Sequence, residues 1–167
     1  NGTRISGVMS ARKKKDSSVA VSTVLAYLDH LCECFMFYES RRFDIQGNQY
    51  LERDSKYYLP DHGFRLAVLG TKDMNFGRLY ENMVYVELLR RGYDVYTGKL
   101  YQKEVDFVAQ RQGETIYIQV CDDISNEDTL QRELAPLLSI RDGYPKIVLA
   151  NTRHPSFTVQ GIPVHNL

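Results

Sequence analysis

Apolar residues recur at helical spacing from Ser22 onward. In STVLAYLDHLCECF, Val24, Leu28, Leu31 and Phe35 share one face, and Thr23, Tyr27 and His30 lie opposite. Ser22 is placed to cap this helix, and Ile5, Val8 and Met9 predict a shorter helix before it. Two β-rich runs follow, FMFYESRRFD and YLERDSKYYLPD, joined around Gly47–Asn48 as a hairpin. Residues 61–75, punctuated by Gly63 and Gly70, read as a hinge. GRLYENMVYVELLRR (77–91) is apolar nearly all round, a buried helix that Gly92 would stop. Three short strands follow, DVYTGKL, EVDFVAQ and TIYIQVC, with Gly98 and Gly113 expected in the turns. A polar helix, NEDTLQRELAPLLSI, leads to the apolar strand KIVLAN, and TVQGIPVHNL reads as the start of another strand. The order α-β-β-β-α-β from residue 77 predicts an α/β domain. Helix, helix and ribbon before it predict part of a winged helix, so the expected division is 1–60 and 61–167.

Composition narrows the class. The 167 residues include 12 Tyr and 7 Phe, enough large apolar surface to exclude intrinsic disorder. No run of about 18 apolar residues is present, so no membrane partner is expected. Three cysteines, an odd number, with Cys32 and Cys34 in an apolar helix, point to reduced thiols and a cytoplasmic address. The 21 basic and 21 acidic side chains cancel but are unevenly spread. Arg12, Lys13, Lys14 and Lys15 form a basic leader, whereas residues 101–167 carry six basic and nine acidic groups. Such a leader is either a solvated terminus or a face for polyanions.

Candidate chemistry sits on three elements. Glu81 lies on the apolar helix, where a carboxylate needs a hydrogen bond, an ion pair or a metal. Asp106 is an acid in mid-strand, and alternation puts it with Glu104 and Val108, opposite Val105, Phe107 and Ala109. On the next strand, Gln119 and Cys121 face away from Ile118 and Val120, towards the side that Asp106 would share. Each has a purely structural alternative: Glu81 holding the preceding loop, Asp106 paired to Arg78 or Lys103, Gln119 a satisfied amide, Cys121 a small core residue.

A helix Glu, a strand Asp and then (Glu/Gln)-x-Lys resembles the PD-(D/E)xK pattern of restriction-endonuclease-like nucleases, and the α-β-β-β-α-β order is similar to theirs. More specifically, KYYLPDHGFR, GRLYENMVYVELLRRGYDVY, KEVDFVAQ and YPKIVLAN resemble the uncharacterised C-terminal domain of prokaryotic AAA-type ATPases over roughly residues 20–167. The resemblance implies a nuclease-like fold behind a winged-helix segment and an upstream ATPase module of the same polypeptide. No G-x-x-x-x-G-K-[ST] occurs, so ATP would belong to that module.

Carried over by position, Glu81 and Asp106 match the acids that hold Mg²⁺ or Mn²⁺ in active relatives. Gln119 stands for the second acid, and Cys121 stands where the lysine should be. A neutral thiol cannot replace an ammonium, and losing such a group costs about 100–1,000-fold in rate. The site therefore reads as degraded unless Lys99 or Lys103 substitutes. The expected function is non-catalytic nucleic-acid binding. Thr23, Tyr27 and His30 would face DNA, and Arg41, Arg42 and Lys56 would meet phosphates beside the basic leader. The alternatives are a protein-interaction or homo-oligomerisation module and a weak metal-dependent deoxyribonuclease.

Overall fold

Alternating and continuous apolar runs along the chain produce strands of one sheet, with a helix covering each face. The computed structural model describes residues 5–9, 19–70 and 75–167, of which 5–9 are helical. The elements that follow are α1 (Val21–Glu33), β1 (Tyr38–Asp44), β2 (Gln49–Tyr58), α2 (His62–Leu69), α3 (Phe76–Arg90) and β3 (Asp94–Leu100). Then come β4 (Lys103–Arg111), β5 (Glu114–Cys121), α4 (Glu127–Leu138), β6 (Lys146–Ala150), β7 (Phe157–Val159) and β8 (Ile162–Asn166). All eight strands form one mixed sheet in the order β2-β1-β3-β4-β5-β6-β8-β7. Among the described residues no helix is long and apolar enough to cross a membrane.

Helix α3 buries Val84, Tyr85 and Leu88 against Phe107, Ala109, Ile118 and Val120. On the other face α4 presses Leu134 and Leu137 onto Val105, Val108, Tyr117 and Val148. With both faces covered, β5 and β6 read as nearly unbroken apolar runs, as expected of doubly buried strands. The order α3-β3-β4-β5-α4-β6 follows the α-β-β-β-α-β reading, with β5 and β6 parallel across the α4 crossover.

Five local expectations are corrected. The hairpin β1–β2 is not a separate wing: β1 pairs in parallel with β3, Phe43 enters the core, and Ser40 meets Thr97 at 3.1 Å between hydroxyls. Such pairing joins residues over 50 positions apart, which local pattern does not report. Ser22 is not the cap of α1; Ala20 occupies that position with no side-chain bond. The expected hinge contains α2, capped by Asp61, whose carboxylate accepts from the Gly63 N–H at 2.6 Å. The tail folds back as the hairpin β7–β8.

Gly98 lies within β3 and not in a turn. A Cβ there would sit 2.9 Å from both Ile45 Cδ1 and Val105 Cβ, so the neighbouring strands close over a missing side chain. Gly98→Ala should cost about 1–3 kcal/mol through overpacking, read as a lower denaturant midpoint with unchanged slope.

Candidate functional site

The two acids singled out by sequence meet around a lysine from the edge strand. Between Ser40 and Arg42 of β1, the partner strand advances from Lys56 to Leu51, so β2 carries three extra residues in a bulge. Beyond this bulge Lys56 and Tyr58 share a side, and both reach Glu81 on α3. Lys56 Nζ lies 2.8 Å from Glu81 Oε1, and the Tyr58 hydroxyl donates to the same oxygen at 2.7 Å. The ammonium also lies 2.7 Å from Glu104 Oε1 and 3.9 Å from Asp106 Oδ1. Arg42 holds the second oxygen of Glu104 at 2.9 Å, while its Nε donates to the Asp54 carbonyl.

Strand β4 is bulged as well. Against β3 its register slips between Tyr96–Val108 and Gly98–Val105, adding one residue at Asp106–Phe107. Simple alternation therefore fails there: Val108 joins Val105 on the α4 face, while Phe107 and Ala109 join the α3 face. The β4–β5 ladder ends at Phe107–Ile118, and side chains take over from it. Asp106 Oδ2 accepts from Val120 N at 2.9 Å, and Gln119 Oε1 accepts from Asp106 N at 3.3 Å. The other end of Gln119 donates to Glu133 Oε2 on α4 at 3.0 Å. Gln119 thus touches the backbone of Asp106 and not its carboxylate. Cys121 packs in the α4-side core, its thiol donating to the Asp123 carbonyl, and burial pushes it up to about 11.

Electrostatics follow from this enclosure. Burial, then the neighbouring Glu81 charge, raises Asp106 to about 7, against the Val120 N–H and Lys56. Burial alone would lower Lys56, but Glu81 and Glu104 more than offset it and its ammonium is held above the ordinary lysine value. Tyr58 is pushed far up by burial and by Glu81 and stays a hydrogen-bond donor.

The residues do not fit a divalent ion as they stand. Such an ion takes about six oxygen ligands, at about 2.0–2.6 Å. Here an ammonium lies at hydrogen-bond distance from two of the carboxylates, and both ends of Gln119 are engaged. Among the described residues no group of three or more His, Cys, Asp or Glu is arranged to hold a metal.

The remaining sequence candidates are dispersed. Thr23, Tyr27 and His30 are exposed on α1, His30 lying 3.0 Å from Glu33. Arg41 is exposed near Glu39, whereas Arg42 and Lys56 turn inward to the acids. Lys103 binds the α4 end through the Ala135 carbonyl and Ser139, so neither it nor Arg78 is the partner of Asp106. Arg12, Lys13, Lys14 and Lys15 lie outside the described residues. Sequence reasoning missed a cleft of about 500 Å³ over the cluster, whose lining includes Lys56, His62, Arg65, Arg78 and Glu81. Burial, with Arg65, keeps His62 below its ordinary value. The available signal for Lys56 was its position two residues before a core tyrosine, on the same side of the strand.

Residues 76–165 match the model of a domain of unknown function, DUF4143, and the chain belongs to that family. The matched segment holds Glu81, Glu104, Asp106, Gln119 and Cys121; Lys56 precedes it. An uncharacterized protein of Haemophilus influenzae is 38% identical over 164 residues, which is 98% of this chain and 40% of that protein. An uncharacterized protein of Methanocaldococcus jannaschii is 26% identical over 138 residues, 80% of this chain and 30% of its own length. The chain thus spans less than half of each of these relatives. No solved structure matches it.

Proposed function

We propose that this chain is a non-catalytic nucleic-acid-binding domain, restriction-endonuclease-like in plan, belonging to a longer prokaryotic AAA-type ATPase. The observation that carries the reading is the cleft above the acid cluster, whose lining includes four basic side chains, Arg42, Lys56, Arg65 and Arg78, against the acids Asp54 and Glu81. Phosphates are the natural ligands of such a cleft, because guanidinium groups bind them with two parallel hydrogen bonds. The α-β-β-β-α-β order supports the nuclease-like plan, and the engaged Gln119 and buried Cys121 support the lack of catalysis. The greater length of the bacterial and archaeal relatives leaves room for an ATPase module, to which any ATP chemistry would belong.

Fluorescence anisotropy of a labelled duplex over a salt series tests the reading. Arg65→Ala with Arg78→Ala should lower the slope of log affinity against log salt by about 1.8, at about 0.9 for each phosphate that is no longer neutralised. An unchanged slope would remove the cleft from the interface. No binding at low salt would remove the reading itself.

That last result would favour the second reading, a protein-interaction module. It draws on α1 and the residues after it, where Val21, Leu25, Leu31, Phe35 and Met36 are all exposed.

A further inference from the structure

A nuclease-like fold leads one to expect a divalent ion between its helix acid and its strand acid. In this chain the two acids have a cation of their own. Glu81 comes from α3, Glu104 and Asp106 from β4, and the ammonium between them comes from β2, which among the described strands pairs with β1 alone. Five of the six carboxylate oxygens face a protein donor: Glu81 Oε1 meets Lys56 and Tyr58, Glu104 meets Lys56 and Arg42, and Asp106 meets Lys56 and the Val120 N–H.

We infer that Lys56 is the resident cation of this cluster and stands where a nuclease-like fold would carry a divalent metal, so that the domain is independent of metal. An ammonium has three donors and no acceptor; here it lies at hydrogen-bond distance from Glu81 and Glu104, and its charge lies 3.9 Å from Asp106. A divalent ion at the same place would meet the lysine's like charge at close range, so the cluster holds one or the other. The same interactions give Lys56 a mechanical task. They tie the edge strand β2 to β4, past two intervening strands, and to α3 above the sheet.

This inference does not depend on nucleic-acid binding, and neither does its test. Wild type and Lys56→Met are titrated with Mn²⁺ by calorimetry, and their melting temperatures are followed in EDTA and in millimolar Mn²⁺. Wild type should take up no Mn²⁺ and melt at the same temperature in both buffers. Lys56→Met should melt lower in EDTA, because Glu81 and Asp106 then lose their cation and Glu104 keeps only Arg42, and should recover several degrees in Mn²⁺. Adding Asp106→Asn to Lys56→Met should remove most of that recovery.

Stoichiometric Mn²⁺ uptake by wild type would overturn the inference and make Lys56 a companion of a metal. A folded Lys56→Met that ignores Mn²⁺ would overturn it equally. If Lys56→Met does not fold in EDTA, the wild-type titration decides: Mn²⁺ uptake contradicts the inference, and its absence with an unmoved melting temperature supports it.

Discussion

Asp106→Asn is expected to stabilise the domain near pH 8 and to flatten its stability between about pH 4 and pH 7. The sign follows from the enclosure of the carboxyl. Burial raises Asp106 to about 7 in the folded chain, whereas an unfolded aspartate titrates near about 3.9. Between these values the folded state holds the proton and the unfolded state releases it. Asp106's contribution is therefore complete below about pH 4 and is lost as the pH rises through about 7. The full span is on the order of 4 kcal/mol, at about 1.4 kcal/mol for each unit. Asparagine keeps an oxygen for the Val120 N–H and has no charge to bury. Urea midpoints of wild type and variant near pH 5 and near pH 8 give the comparison. A variant less stable than wild type near pH 8 would mean that attraction to Lys56, 3.9 Å away, outweighs the cost of burial.

Glu81→Ala should have the second large effect, a loss of about 3 kcal/mol. It takes from the Lys56 ammonium one of its two close carboxylates, leaving Glu104, and it leaves the hydroxyl of a tyrosine only 5% exposed without its carboxylate acceptor. Much of that cost belongs to the orphaned partners. Glu81→Leu combined with Lys56→Met should accordingly lie closer to wild type than the sum of the two single changes. A double-mutant cycle on denaturant midpoints measures this, and simple additivity would show that Glu81 and Lys56 are not coupled.

The residues behind these predictions were unequally legible in the chain. Glu81 and Asp106 announce themselves, because a carboxylate on an apolar helix or in mid-strand is out of place unless something holds it. The strands β3, β4 and β5 were legible because local apolar pattern and turn residues define them. Lys56 was not. Its place depends on the β2 bulge and on the pairing of β1 with β3, both set by interactions far apart in sequence. Reading Lys56 as a solvent-facing partner of phosphate was natural for a lysine on a ribbon. The face of Val108 was misread for a related reason: one inserted residue in β4 reverses every later side chain. The α2 helix was missed because a turn-like Asp61–His62–Gly63 start looks like a loop until the Asp61 cap is seen to open a helix.

On the function proposed above, Lys56 and Arg42 hold the acid cluster from within, and the cleft over it is the surface expected to bind. The most direct test is one titration of a labelled duplex, performed in EDTA and again in Mn²⁺, with each sample then run on a denaturing gel. A non-catalytic, metal-independent domain predicts equal affinity in the two buffers and intact strands throughout. Cleavage that requires Mn²⁺ and disappears in Asp106→Asn would contradict it.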